Sequence, residues 1–356
     1  MSWPRLVADL DRIGKNSETV SKYCSRSGVS ITGVAKGLCA DPRVVRTMIE
    51  SGCEMLGDSR MQNLVSLRLS GIRKPLVLLR IPMISEISEV VRYSDMTMIS
   101  SVETLFHLEK ECRHIKKEYE ILVMVDLGDL REGLTQERIE PFARQLSKCR
   151  WVKAKGLAVN FACFGGVLPD REKMGDLLSA GKIIESILSY PLEIYSGGAT
   201  SSLTLLEENI MPSGINNLRI GEGILLGTDI SRNRSIPYLN KDTMYLEAEI
   251  VETAVKRSVP FGTIGADAFG NVPSFANRGM RKRAIAAVGR QDLRIEGITP
   301  LDNGVDILGA SCDHLVLDVE ESRVPVKTGS LLKFSVNYPA MLALATSPYI
   351  SFEVIK

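Results

Sequence analysis

Lys36 directly follows the apolar run Ser30-Ile-Thr-Gly-Val-Ala35. An amine at the end of a buried strand loses hydration, its pKa falls, and its neutral form becomes a nucleophile suited to Schiff-base chemistry. The same lysine can be read as the ion-pair partner of Asp58, and position alone leaves both readings open. Farther along, Ser196-Gly-Gly-Ala-Thr-Ser-Ser202 places a glycine turn and several hydroxyls ahead of a helical stretch. Backbone N–H groups and the helix dipole at such a turn attract an anion. Asn217-Leu-Arg-Ile-Gly-Glu-Gly223 supplies a second turn of the same kind. Either segment alone is an ordinary glycine turn, but adjacent in one barrel they describe a phosphate site. Other polar groups also follow apolar runs: Asp58 with Arg60, Ser100, Asp126 with Arg131, and Asn160. The Asp58-Ser-Arg60 group reads as a structural ion pair at the rim.

These groups share one end of a sheet only if the apolar runs are parallel strands. The runs are Ser30–Ala35, Met55–Asp58, Pro75–Ile81, Asp95–Ile99, Glu120–Val125, Ala154–Val159, Leu192–Tyr195 and Asn217–Ile220. Amphipathic stretches separate them, among them a helix capped by Asp41 with Pro42 at its first position. A further helical pattern covers Val7 to Cys24, ahead of the first run. Eight such units predict a closed (β/α)8 TIM barrel, whose catalytic groups lie past the C-terminal ends of the strands. An open doubly wound sheet is the other solution, and it calls for a G-x-G-x-x-G loop that the early segments lack. After Pro237 the runs turn short, β-branched and broken by Gly, Pro and Asn. The expected organisation is a barrel domain over 1–236 and a C-terminal mainly-β domain over 237–356.

The bulk properties bound the function. The 356 residues carry a net charge of +1, so neither nucleic acid nor an anionic membrane is an expected partner. Hydrophobic residues reach 44% and charged residues 24%, which supplies a large core and excludes a disordered chain. No run approaches the roughly 20 apolar residues of a membrane span. The start Met1-Ser-Trp-Pro4 lacks the basic and apolar regions of a secretory signal. The seven cysteines are scattered, form no C-x-x-C, and read as reduced thiols of a cytoplasmic protein. His107, His114 and His314 lack metal-ligand spacing, so no metal is expected.

Several segments resemble one family. Val34-Ala-Lys-Gly-Leu-Cys-Ala-Asp41, Asp126-Leu-Gly-Asp-Leu-Arg-Glu-Gly133 and Leu218-Arg-Ile-Gly221 are similar to the corresponding segments of the alanine racemase-type (fold type III) pyridoxal-phosphate enzymes. The nearest likeness is to the ornithine or lysine racemase branch, through Asn160-Phe-Ala-Cys-Phe-Gly-Gly-Val-Leu-Pro169, Asp267-Ala-Phe-Gly270, Val288-Gly-Arg-Gln-Asp292 and Leu308-Gly-Ala-Ser-Cys-Asp-His314. The likeness runs from about residue 7 to the C-terminus. It implies that Lys36 holds pyridoxal 5'-phosphate covalently and moves a proton at the substrate α-carbon. It gives Arg219 the pyridine nitrogen, Arg131 the phenolic oxygen and Asn160 the ring face. It gives the phosphate to Thr200, beside Ser196, and to the backbone of Gly221 and Glu222, with a hydroxyl from Tyr338. Tyr338 can equally be an interface or core tyrosine.

Racemisation also needs a group on the face opposite Lys36. The family's tyrosine position falls on Ala266 in Ile264-Gly-Ala-Asp-Ala-Phe-Gly270, which leaves Asp267 as the expected replacement. Cys312 and Asp313, beside His314, are the other candidates, and a buried inert thiol is the plainer reading of Cys312. Arg278-Gly-Met-Arg-Lys-Arg283 reads as a solvated basic turn. The resemblance implies a homodimer with shared sites and an amino-acid racemase. By branch its substrate is ornithine or lysine, whose distal ammonium Asp267 or Glu222 could pair with. A racemase of another amino acid and a decarboxylase of the same fold stay open. A non-catalytic carrier of the single-domain barrel type is opposed by the β domain.

Overall fold

The computed structural model describes residues 3–356. Strands β2 (Ser30–Val34), β3 (Met55–Asp58), β4 (Leu76–Leu78), β5 (Met96–Ile99), β6 (Tyr119–Val125), β7 (Val152–Val159), β8 (Ile194–Ser196) and β9 (Asn217–Ile220) form a closed, all-parallel barrel. A first strand, β1 (Arg5–Asp9), precedes them. Closure is made by β2 against β9, with Thr32 opposite Arg219 and Gly33 opposite Ile220.

Most strand residues are buried, so the strand sequences are largely apolar, with Lys153 and Lys155 of β7 and Asn217 and Arg219 of β9 among the exceptions. Val77, Met96, Met98, Leu122, Met124 and Ala158 share one packed cluster across neighbouring strands. The helices between strands start where side chains satisfy the free N–H groups of the first turn. Asp41 accepts from the Arg43 N–H at 2.9 Å ahead of helix Pro42–Glu50, and Asp170 accepts from the Lys173 N–H at 2.8 Å ahead of helix Arg171–Leu188.

The chain divides into two units, Leu10–Lys241 and a second containing β1 with Asp242–Lys356. The helical pattern assigned to Val7–Cys24 resolves into β1 followed by helix Leu10–Ser25. Local periodicity does not distinguish a short strand running into an amphipathic helix. The strand is defined by remote partners: it pairs antiparallel with Met244–Arg257 and parallel with Ser351–Ile355. Arg5 fixes this register through ion pairs to Glu247 (2.6 Å) and Glu353 (2.7 Å).

The second unit is built on an eight-stranded sheet whose main path runs Ile298–Pro300, Leu331–Val336, Met244–Arg257, Met280–Ala286, Leu315–Asp318, Asp306–Ala310. It also contains helix Tyr338–Thr346, which an apolar sequence without a polar face did not announce. The basic segment Arg278–Arg283 is not a solvated turn. From Met280 it is strand, and Arg281 pairs with Asp318 at 2.9 Å. Most of Ser258–Gly279 is exposed and without regular structure, and Phe261 and Val272 are 83% and 76% exposed.

Candidate active site

Lys36 begins a single 3-10 turn, Lys36–Leu38, just past β2. It is half-buried, and its ammonium has neither hydrogen bond nor ion pair among the described residues. Burial is the main cause holding its pKa below the ordinary lysine value, with Arg131 and Arg219 pushing the same way and Cys163 and Asp58 opposing. Asp58 therefore lies within electrostatic reach of Lys36 without pairing to it. Asp58 is itself buried, and burial pushes its carboxyl up.

The rim ion pair expected between Asp58 and Arg60 is absent. Asp58 accepts instead from the Arg60 backbone N–H (2.8 Å) and from Asn63 Nδ2 (3.0 Å), while the Arg60 side chain is exposed. A carboxylate two residues before a helix start finds the free N–H groups of that start closer than a mobile guanidinium.

The densest part of the site surrounds Arg219, on β9 and 5% exposed. Its Nη1 donates to Ser196 Oγ (2.7 Å), and its Nη2 to the Val159 carbonyl (2.7 Å) and to Asn160 Oδ1 (2.7 Å). Ser196 Oγ donates in turn to Asn217 Oδ1 (2.7 Å), and Asn217 Nδ2 donates to Thr32 Oγ1 (3.1 Å). No carboxylate touches the guanidinium, and burial lowers its pKa to about 10, so it remains a cation at neutral pH. A charge this buried persists only when its donors find acceptors, which the fixed oxygens around Nη1 and Nη2 supply.

Arg131 and Asn160 meet in the same network through a residue not singled out by the sequence. Glu132 accepts from both Nε and Nη2 of Arg131, the latter at 2.6 Å, and from Asn160 Nδ2 at 2.7 Å. Asp129, also overlooked, is 2% exposed and accepts from the backbone N–H groups of Cys163 (3.2 Å), Phe164 (3.0 Å) and Val167 (3.3 Å). It sets the loop that follows Asn160. Acidic residues in a loop usually face solvent, so only the fold marks these two.

The two glycine turns form a cradle. Gly198 has φ +103°, in the left-handed region. Thr200 Oγ1 accepts from the Gly223 N–H at 3.2 Å, which ties the two turns together. A Cβ at Gly221 would stand 3.0 Å from the Val34 carbonyl, so the chain there passes close to the end of β2. Ser201 is buried and its Oγ has no hydrogen-bond partner, an orphaned polar atom within the turn Thr200–Ser202. The Glu222 side chain turns away and accepts from Thr228 Oγ1 (2.7 Å) and the Ile230 N–H (2.9 Å). Burial raises its pKa to about 7.

Asp267, Cys312, Asp313 and Tyr338 belong to the second unit. Asp267 is exposed and caps its own turn, accepting from the Phe269 and Asn271 N–H groups at 2.9 and 2.8 Å; the Asn271 bond is the main cause of its lowered pKa. Cys312 is exposed rather than buried, because Gly289 packs against the Cys312–Asp313 peptide and leaves the side chains outside. Asp313 is exposed as well. Tyr338 is half-buried and opens the helix capped by Asn337. All seven cysteines are free, and among the described residues no helix is long and apolar enough to cross a membrane.

The site thus joins a buried cation on the last barrel strand, an unpaired amine just past the first and two linked glycine turns. The chain belongs to the alanine racemase family: the family's N-terminal domain matches residues 8–228. It is 41% identical to the lysine racemase of Thermotoga maritima over 98% of both chains. It is 36% identical to the ornithine racemase of Acetoanaerobium sticklandii over 99% of this chain and all of the relative. The fold is shared with the solved alanine racemase of Clostridium difficile 630, with a TM-score of 0.78 at 16% identity, covering 100% of this chain and 96% of the other.

Proposed function

We propose that this protein is an amino-acid racemase that uses pyridoxal phosphate and acts on a basic amino acid, lysine or ornithine. The observation that carries the reading is the buried Arg219, both of whose terminal nitrogens are hydrogen-bonded, within electrostatic reach of the unpaired amine of Lys36. The residues present fit the cofactor. Ser201 Oγ, the Gly221 and Glu222 backbone and Thr200 would hold its phosphate, Lys36 its aldehyde, and Arg219 its ring nitrogen. When bound, pyridoxal phosphate supplies an electron sink that makes the substrate α-proton acidic.

The chain's own residues do the rest. Lys36, whose charged form burial disfavours, takes and returns a proton at Nζ. Arg219, a buried cation fixed by its acceptors, would face the ring nitrogen. There that charge would disfavour a proton on the nitrogen. Asp267, Cys312 and Asp313 remain the candidates for the opposite face, and Tyr338 for a further phosphate hydroxyl. The exposed Phe261, Ile264, Phe269 and Val272 of the second unit support a homodimer, since so much apolar surface is covered when a second copy binds. The free thiols support a cytoplasmic location. The substrate assignment is supported by the two full-length relatives.

The test is incubation of the reconstituted protein with L-lysine and L-ornithine, with chiral chromatography and carbon dioxide measured together. Appearance of the D-enantiomer with deuterium at the α-carbon in heavy water is expected. Carbon dioxide release without D-product replaces the racemase with a decarboxylase of the same fold.

A further inference from the structure

Glu132 bonds one cation directly and is joined to a second through a single amide. Its Oε1 accepts from Arg131 Nη2 at 2.6 Å and from Asn160 Nδ2 at 2.7 Å, and its Oε2 accepts from Arg131 Nε. Asn160 Oδ1 then accepts from Arg219 Nη2 at 2.7 Å. The amide between them has a single workable orientation. Rotated by half a turn, it would put its NH2 against the guanidinium and its oxygen against the carboxylate, a clash at both ends. Asn160 thus transmits the setting of Arg219, and Glu132 passes it to Arg131.

The segment carrying Glu132 has its backbone fixed by other groups. Asp126 Oδ1 accepts from the Gly128 and Leu130 N–H groups, and Gly133 lies so close to Asp126 that a Cβ would come within 2.4 Å of its nitrogen. The hydrogen bonds of Glu132 go to side chains alone. Arg131 is the member that needs such help: its side chain is 36% exposed, and a long side chain at the surface otherwise spreads over many rotamers.

The geometry points to Glu132 as a positioning residue that, through Asn160, holds Arg131 in fixed register with Arg219, so that the two cations meet a bound anionic ring as one unit. This rests on the pyridoxal-phosphate reading above. Glu132 also sets the charge of the pair, since its carboxylate offsets one of the two guanidinium groups.

The experiment is a double-mutant cycle on the reconstituted enzyme with Glu132→Gln, Arg131→Ala and both together. It reads kcat and KM for lysine racemisation, and the midpoint pH of the absorbance band of the Lys36-bound cofactor. Glu132→Gln is expected to lower kcat about tenfold with KM changed less than about threefold. It should also move the band midpoint by about half a pH unit, because a carboxylate is removed beside the cations. The double variant should be no worse than Arg131→Ala alone, since Glu132 acts through Arg131. Glu132→Asp retains the charge but is too short to span both partners, so an intermediate midpoint is expected, and it serves if Glu132→Gln does not fold. Effects that multiply in the double variant, or a midpoint and kcat unmoved in both substitutions, overturn the proposal. Wild-type protein that takes up no pyridoxal phosphate overturns the functional reading as well, whereas wild type that binds it beside an indifferent Glu132→Gln overturns this inference alone.

Discussion

Arg219 Nη2 donates to Asn160 Oδ1 over 2.7 Å, joining the last strand of the barrel to the residue that follows β7. The bond is one of several that leave the guanidinium with acceptors and no counter-ion. Arg219→Lys keeps the charge but loses the planar fork, so at least one of Ser196 Oγ, Val159 O and Asn160 Oδ1 is left buried without a donor. A loss of about 1–3 kcal/mol in urea unfolding of the apo-protein is expected. Unchanged stability would show that water replaces the fork without cost.

Lys36 gives a stability signature with a definite sign. Its folded pKa lies below the unfolded value, so the folded state binds this proton less tightly. The resulting cost is full below the folded pKa, fades as pH rises through it, and is gone above the unfolded lysine pKa. Apo Lys36→Met should therefore be more stable than wild type at pH 7, with the gap narrowing as pH rises and closed above about pH 10.5. Denaturant titrations at both pH values measure it, and a gap that widens with pH contradicts the assignment.

Glu222 behaves oppositely along the pH axis. Its carboxyl is raised from 4.5 to about 7 by burial, so its ionisation costs stability above that range and nothing below pH 4.5. Glu222→Gln keeps an oxygen for Thr228 and Ile230, and should stabilise the apo-protein by at most about 3 kcal/mol at pH 8 and not at all near pH 4. Equal unfolding midpoints at pH 8 would mean that the carboxylate is solvated in the folded protein.

Asp129 holds the loop after Asn160 through three backbone N–H groups. Asp129→Ala should cost about 2–4 kcal/mol, since the loop donors lose their acceptor while still partly buried. The local readout is amide exchange. Protection at Cys163, Phe164 and Val167 should fall first, and protection kept there would assign the loop's order to other contacts.

Gly156 lies on β7 where the chain touches β8. A Cβ there would stand 1.9 Å from the Ile194 carbonyl, and the obstacle is backbone. Gly156→Ala should destabilise the protein by more than about 3 kcal/mol, seen as a large fall in Tm, because the β7–β8 ladder must separate to admit a methyl group.

By itself the sequence determined the barrel, because strands buried on both faces must be largely apolar and the helices between them must be amphipathic and capped, as at Asp41 and Asp170. It also marked Lys36 and the two glycine turns as candidates for chemistry, since an amine ending an apolar strand and glycines ahead of helix starts are local patterns. Only the tertiary structure decided the rest. Arg5 finds Glu247 and Glu353 across most of the chain's length, so no local periodicity could separate β1 from the helix after it. The same holds at the site. Glu132, Asp129 and Ser201 are unremarkable in sequence, and their roles come from burial and from partners brought close by closure of the barrel. Hydrogen bonds act over about 3 Å, a distance set by the folded path and not by spacing along the chain.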